Sequence, residues 1–256
     1  MEKSPKEKDL QKLFFSFMQR SAKKTISGII TTMESQHQSI GVRASPHLQT
    51  LKKTILSPSY WKKEWERLKL GVKTIDQYLH KTKELSARKT LQNAFNQFLE
   101  ISEDYFRSIL QEKGSLSQEE TLQDLLSIDA LSFKIMYQAG MEQYEKNDFE
   151  SAAAVFSLMR YLNDRHASIW QTLGIAEYQL KNFQKAIGDF FFAIALDPKD
   201  MKSFIYAIDS CNLTLDTDSA KFFLDRAKEQ VDDNTPEHIL QMLRVFEESL
   251  SSQASQ

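Results

Sequence analysis

Apolar residues recur at helical spacing along most of the chain, and no stretch shows the strict alternation of a half-buried β-strand. The first apolar stripe falls within residues 4–38 and comprises Leu10, Leu13, Phe14, Phe17, Met18, Ile26, Ile29, Ile30 and Met33. Lys and Arg residues flank this stripe, which predicts an amphipathic helix packed on its own protein or lying on a membrane surface. A polar break follows, so we interpret residues 1–45 as this helix and a linker.

Residues 46–115 carry two further stripes, each with apolar positions alternately four and three residues apart. The first comprises Trp61, Trp65, Leu68, Val72, Ile75 and Leu79. The second comprises Leu91, Phe95, Phe98, Tyr105 and Ile109, with the polar Ser102 at the remaining position of the alternation. This spacing is typical of a heptad seam. The pattern predicts either an antiparallel helical hairpin or one continuous coiled-coil helix.

A period of 34 residues begins after residue 116. Residues that align across the period include Gly140 with Gly174, Phe149 with Phe183, Phe156 with Phe190, and Ala152 with Ala186 and Ala220. The most complete unit reads WQTLGIAEYQLKNFQKAIGDFFFAIALDPKD. The pattern predicts three tetratricopeptide-repeat (TPR) units at 133–166, 167–200 and 201–234, with the helix HILQMLRVFEESL as a cap. The predicted fold is therefore an all-α TPR superhelix with a capping helix, spanning residues 116–256, preceded by the helical N-terminal region.

Each TPR unit is a pair of antiparallel helices, and units must stack to bury their apolar faces. The first helix of each unit lines the concave side, at positions 2, 5, 9 and 12 of the unit. These positions hold Lys134, Tyr137, Met141, Tyr144, Ser168, Gln171, Ile175, Tyr178, Lys202, Ile205, Asp209 and Asn212. Tyrosine offers a large contact area with a polar tip, which suits a binding surface. We therefore predict a groove for a peptide segment of another protein.

Two stretches carry a family resemblance: QAGMEQYEKNDFESAAAVFSLMRYLN and LGIAEYQLKNFQKAIGDFFFAIALDPKD. They resemble the SycD/LcrH-type class II chaperones of type III secretion over about residues 116–234, with Tyr144 and Tyr178 at position 12 and Cys211 before a degenerate turn. The resemblance implies a cytoplasmic bacterial chaperone that holds an extended segment of a hydrophobic secreted translocator in its groove. The alternative is a scaffold or regulatory adaptor that bridges proteins through both regions, and a homodimer is also left open.

Residues that would support catalysis or metal binding are scattered. The five histidines lack metal-ligand spacing, and the sequence contains no HExxH, glycine-rich phosphate loop or GxSxG. We therefore expect no enzyme activity, small-molecule substrate, cofactor or metal. The single cysteine allows no intrachain disulfide, and no apolar run reaches the roughly 20 residues of a membrane span, so we expect a cytoplasmic protein.

The net charge of −2 is unevenly distributed. Residues 1–115 hold 21 Lys and Arg against 12 Asp and Glu, a net charge of +9, whereas residues 116–256 hold 12 against 23, a net charge of −11. This asymmetry indicates either an anionic partner for the front half or attraction between the halves. Nucleic acid is disfavoured, because the tryptophans of the basic run WKKEWERLKLGVK fall on the apolar seam. The shift near Gly114 predicts that residues 116–256 fold alone.

Overall fold

A computed structural model describes residues 58–82, 84–100 and 121–253, and every regular element in these ranges is an α-helix. The helices are α1 (Pro58–Lys81), α2 (Leu85–Glu100), α3 (Leu122–Leu125), α4 (Ala130–Glu145), α5 (Phe149–Leu162), α6 (Ala167–Gln179), α7 (Phe183–Leu196), α8 (Met201–Leu213), α9 (Thr217–Glu229) and α10 (Glu237–Gln253). The all-α prediction is confirmed. The helix predicted at 4–38, its linker and the end of the second heptad stripe lie outside the described residues.

The repeat forms three helix pairs, α4 with α5, α6 with α7 and α8 with α9, and α10 packs on the last pair. Helices α6 and α8 begin at the predicted unit boundaries, at Ala167 and Met201. Helix α4 begins three residues earlier than its predicted boundary, at Ala130, because the Asp129 side chain caps it by accepting the Ser132 N–H at 2.7 Å. The three-unit array with a capping helix is thus confirmed, with one extra helical turn in front.

A left-handed residue ends the first helix of each unit. These residues are Asn147, Lys181 and Leu215, spaced by 34, with φ of 61°, 60° and 58°. The residue after each one donates its backbone N–H to the carbonyl five residues earlier at 2.9 Å, which is the bond of a Schellman motif. Each donating residue is also the N-cap of the second helix, so one motif ends α4, α6 and α8 and starts α5, α7 and α9.

Replacing Leu215 with glycine is expected to stabilise the protein. A non-glycine residue in the left-handed region costs about 1–2 kcal/mol, and the greater chain entropy of glycine offsets part of the relief. Leu215 is 83% exposed, so little packing is lost. We expect Leu215→Gly to raise the free energy of unfolding by about 0.5–1 kcal/mol in urea titrations. Leu213→Gly, at the last residue of α8, relieves no left-handed strain and is expected to lower it slightly. A loss of stability in Leu215→Gly would contradict the strain argument.

Within units 1 and 2 a glycine of the first helix faces a phenylalanine of the second. A Cβ added to Gly140 would lie 2.7 Å from Cε1 of Phe156, and one added to Gly174 would lie 2.7 Å from Cε1 of Phe190. Both rings are fully buried. The paired glycine and phenylalanine of the 34-residue pattern therefore set how closely the two helices of these units approach.

Helices α1 and α2 are separate and pack on the first unit. The chain leaves helical structure between Lys81 and Leu85, so residues 58–100 do not form one continuous helix. Helix α1 packs mainly on α5 and α2 on α4, and contacts between α1 and α2 are fewer. The seam residues Leu68, Ile75 and Leu79 are buried in one core with α4 and α5.

The backbones of α1 and α5 touch where Gly71 crosses α5. A Cβ added to Gly71 would lie 2.5 Å from the backbone oxygen of Ala154. Every residue from Ala152 to Met159 is buried, so the middle of α5 is enclosed on all sides. The composition shift near Gly114 predicts a domain boundary near residue 115. That boundary stays a prediction, but the residues before it help to form the core of the first unit.

A buried network of charged side chains joins α1 to units 1 and 2. Glu64 of α1 accepts hydrogen bonds from Ser157 Oγ at 2.5 Å and from Arg160 Nη2 at 3.0 Å. Arg160 Nη1 lies 3.5 Å from Asp189 Oδ1 of α7. Arg67 of α1 forms an ion pair with Glu177 of α6, which Lys185 approaches at 3.7 Å. The network fixes where α1 lies, because a buried charge that loses its partner is strongly destabilising.

The two carboxyl groups that face Arg160 differ in pKa. Burial raises the pKa of Glu64, but Arg160, Arg67 and the Ser157 hydroxyl outweigh it, so the net pKa is lowered. Burial raises the pKa of Asp189 to about 7, since Arg160 opposes the shift only in part and Glu177 adds to it. Glu64 is therefore the carboxylate of the pair at neutral pH, and Asp189 is only partly ionised.

Replacing Asp189 with asparagine is expected to stabilise the protein at alkaline pH. Between the ordinary aspartate pKa of 3.8 and about 7, the unfolded chain releases this proton while the folded chain keeps it. The Asp189 contribution to stability therefore falls as pH rises through that window and is flat above it. An asparagine at this position would not titrate. We expect the stability of Asp189→Asn relative to wild type to increase by roughly 2 kcal/mol between pH 5 and pH 8 in urea titrations.

The matched control for this experiment is Asp225→Asn, which changes an exposed aspartate on α9. It is expected to leave the difference between pH 5 and pH 8 unchanged. Equal pH profiles for wild type and Asp189→Asn would show that burial of Asp189 does not raise its pKa.

Candidate functional site: the concave groove

The first helices of the units, α4, α6 and α8, provide the candidate binding surface, which we call the concave groove. Four predicted residues on its α4 and α6 portions are half-buried: Tyr137, Met141, Tyr144 and Tyr178. Ile175 and Ile205 are only 7% and 8% exposed, so they support the groove from beneath more than they line it. Lys134, Ser168 and Lys202 are exposed in the first turns of their helices or just after them.

The structure brings an aromatic and acidic cluster together between α6 and α8. The Tyr178 hydroxyl donates to Asp209 Oδ2 at 2.5 Å. The rings of Tyr178 and Tyr206 meet edge to face with centroids 5.2 Å apart, and Tyr206 stacks on Phe190 at 5.5 Å. Tyr144 packs against the core of the first unit and also against that of the later units. The predicted residues Tyr144, Tyr178 and Asp209 thus belong to one continuous surface.

The hydroxyls of Tyr137, Tyr178 and Tyr206 stay protonated at neutral pH. Burial, followed by the hydrogen bond to Asp209, raises the pKa of Tyr178 to about 12. Burial raises the pKa of Tyr206, and Tyr144 and Asp209 raise it further. Burial also raises the pKa of Tyr137. The groove therefore presents aromatic rings with neutral hydroxyl tips, which bind by apolar contact and hydrogen bonding.

The predicted polar residues Gln171 and Asn212 have partly buried side chains that differ in hydrogen bonding. Gln171 donates to Asp200 Oδ2 at 2.5 Å, and Asp200 caps α8 by accepting the Ser203 N–H at 3.4 Å. Gln171 of α6 therefore bonds the residue that caps α8. The side-chain oxygen of Asn212 is buried without a hydrogen-bond partner among the described residues.

Tyr206 is a groove residue that the four-position rule missed. It occupies position 6 of unit 3, where the other units have Gln138 and Thr172. Comparison of the repeats therefore gave no reason to select it. Its ring nevertheless contacts both Tyr178 and Phe190, so it extends the aromatic surface toward α8.

The described residues offer little chemistry beyond the groove. Within the described ranges, no cluster of His, Cys and acidic side chains is placed to hold a metal ion. Cys211 is buried, and burial raises the pKa of its thiol. None of the helices that the structure describes combines the length and apolar character needed to cross a membrane.

Comparison with known proteins places the fold. No family model matches the chain, and no curated protein matches it. A chain in the crystal structure of a type III secretion system complex from Aeromonas hydrophila is similar, with a TM-score of 0.51 and 17% identity, over 60% of this chain and 99% of that chain. The two chains share a fold. At this identity the likeness concerns the fold alone.

Two further solved structures are similar at TM-scores below 0.5. A chain of the CopN–Scc3 complex aligns with a TM-score of 0.47 and 20% identity, over 54% of this chain and 84% of that chain. The type III secretion translocator chaperone SycD of Yersinia enterocolitica aligns with a TM-score of 0.44 and 20% identity, over 52% of this chain and 98% of that chain.

Proposed function

We propose that this chain binds an extended segment of another protein in its concave groove. The observation that supports this most directly is the aromatic surface formed by Tyr144, Tyr178 and Tyr206 with Asp209. Half-buried tyrosines on rigid helices bind with little loss of side-chain entropy, because the ring has few rotatable bonds and is already packed on one side. Peptide recognition of this kind needs no cofactor.

We further propose that the partner is a hydrophobic secreted protein and that the chain is its cytoplasmic chaperone. The resemblance of residues 116–234 to SycD/LcrH-type chaperones supports this role, as does the fold shared with a chain of the Aeromonas hydrophila complex. A chaperone of this kind keeps an aggregation-prone protein in solution by covering one of its segments, and the tyrosine-lined groove suits that task.

The test compares partner capture by wild type and by Tyr144→Ala/Tyr178→Ala, each expressed in the native host and analysed by mass spectrometry. Loss of a central contact residue typically costs about 2 kcal/mol or more, at least about thirtyfold in affinity. We therefore expect the double variant to lose the partner that wild type captures. Tyr161→Ala, which removes a half-buried tyrosine from α5, is the matched control and should retain it.

Thermal unfolding of each variant separates binding from folding. The ring centroids of Tyr178 and Phe183 are 5.4 Å apart, and the Tyr178 hydroxyl donates a hydrogen bond to Asp209. Truncation of Tyr178 therefore costs some stability. Tyr178→Phe keeps the ring and removes only the hydroxyl, and it should bind more weakly with little change in unfolding temperature. Full capture by a folded double variant would rule out the groove. Capture of a protein that lacks long apolar segments would contradict the chaperone role.

A further inference from the structure

Asp209 is a half-buried carboxylate on the concave groove, and its partners among the described residues do not include a cation. Its Oδ2 accepts the Tyr178 hydroxyl, and no Lys or Arg side chain in the described part of the chain pairs with it. Tyrosine faces attract cations, and a carboxylate beside them adds a charge-assisted hydrogen bond. The site formed by Asp209, Tyr178 and Tyr206 therefore suits a segment that carries a basic side chain next to apolar ones.

The chain itself contains such a segment outside the described residues. Residues 12–20 read KLFFSFMQR, in which five apolar residues lie between Lys12 and Arg20. Residues 1–57 contain ten Lys and Arg and four Asp and Glu, a net charge of +6. Residues 121–253 contain 12 Lys and Arg and 21 Asp and Glu, a net charge of −9. The segment and the repeat are thus complementary in both charge and apolar character.

The length of the intervening chain permits this contact. Residues 21–57 connect the segment to the start of α1. Even with residues 21–38 in the predicted helix, they span up to about 90 Å. The groove helices have 13–16 residues, so each is only about 20–24 Å long. A tethered segment competes at a high effective concentration, which allows even a weak contact to be populated.

We propose that residues 12–20 occupy the concave groove of the same chain when no partner is bound, with Lys12 or Arg20 beside Asp209. This inference rests on the proposed function, since it makes the chain's own segment a competitor for the partner. The proposal also gives a role to the excess of basic residues in the N-terminal region. Residues 12–20 occupy the aromatic surface until a partner segment that binds more tightly displaces them.

The test uses the full chain with a nitroxide label on Gln19→Cys. Cys211 is buried and has a raised thiol pKa, so the added cysteine is the thiol that reacts. Paramagnetic broadening is measured by nuclear magnetic resonance on the isotope-labelled protein. The amides of Tyr178 and Asp209 are expected to broaden, whereas that of Lys221 on α9 should not. Unaffected groove amides would overturn the inference.

A mixed sample identifies the occupant. Spin-labelled chain without isotopes is combined with isotope-labelled chain without the nitroxide. Broadening that appears in this mixture as strongly as in the singly labelled protein would assign the contact to a second copy and overturn the inference. Its absence from the mixture supports a contact within one chain.

Charge variants test the role of Asp209. Asp209→Asn is expected to weaken occupancy about threefold, whereas the exposed control Asp225→Asn should leave it unchanged. Equal broadening in both variants would overturn the pairing with Asp209. This result can be separated from that of the partner-capture experiment. If the groove amides broaden but no partner is captured, only the proposed function is contradicted. If a partner is captured but the groove amides do not broaden, only this inference is contradicted.

Discussion

A fragment that begins at residue 116 is expected to lose the cooperative thermal transition of the full chain. Helices α1 and α2 cover α5 and α4, and their removal exposes the enclosed stretch from Ala152 to Met159 to water. It also leaves Arg160 and Glu177 without Glu64 and Arg67. We expect the fragment to aggregate or to retain helical circular dichroism with a broad transition. A sharp transition within a few degrees of the full chain would instead support independent folding.

The same contact can be weakened in the intact chain by Gly71→Ala. The new Cβ would lie 2.5 Å from a backbone oxygen of α5, so α1 must shift as a whole. Forcing an extra methyl group into a close-packed contact typically costs about 1–3 kcal/mol. Lys73→Ala, which changes an exposed residue of the same helix, is the control and should have little effect. Unchanged stability of Gly71→Ala in urea would show that α1 is not held against α5.

Truncating Phe190 is expected to destabilise the protein by about 3–5 kcal/mol, the range for a fully buried phenylalanine. The ring fills the space over Gly174 and stacks on Tyr206, so its loss opens a cavity between units 2 and 3. Urea titration of Phe190→Ala measures the loss. The control is Leu196→Ala at the end of α7. Leu196 is 41% exposed, so this change should lower the stability much less. Similar losses in the two variants would show that the ring is not a core element.

A double variant that combines Phe190→Ala with Gly174→Ala tests the same contact more directly. In wild type the alanine methyl would meet the Phe190 ring at 2.7 Å, so Gly174→Ala alone should destabilise. In the Phe190→Ala background the ring is absent, and the methyl group fills part of the cavity. The two changes should therefore be strongly non-additive, as expected for residues in direct contact. Additive losses would contradict the packing described for this unit.

The repeat could be predicted from the sequence because its constraints recur. Gly140 and Gly174 must be small beneath an aromatic ring in two successive units, so the pattern appears at a fixed spacing. The left-handed turns recur in the same way, but the residues there are Asn147, Lys181 and Leu215, and neither lysine nor leucine favours that conformation. The repeated architecture imposes this backbone geometry, so local sequence does not reveal it.

The packing of α1 could not be predicted from heptad spacing, which shows only that one face is buried. Positions at which one repeat unit differs from the next indicate where α1 packs. Glu177 and Asp189 stand where unit 3 has Cys211 and Phe223, yet both are buried. Buried acidic residues need cationic partners, and α1 and α5 provide them in Arg67 and Arg160. The groove was predicted less completely, because Tyr206 has no counterpart in the other units.

Helix α1 also changes how the array responds to local unfolding. In a simple repeat protein each unit contacts only its neighbours, so stability behaves as a one-dimensional sum and ends fray independently. Here one helix binds Ser157 of unit 1 and Glu177 of unit 2, which braces the two units together. Unit 3 and α10 have no such brace among the described residues. Amide hydrogens of α9 and α10 should therefore exchange through small local openings, whereas those of α5 and α6 exchange only when the braced half opens as one cooperative block.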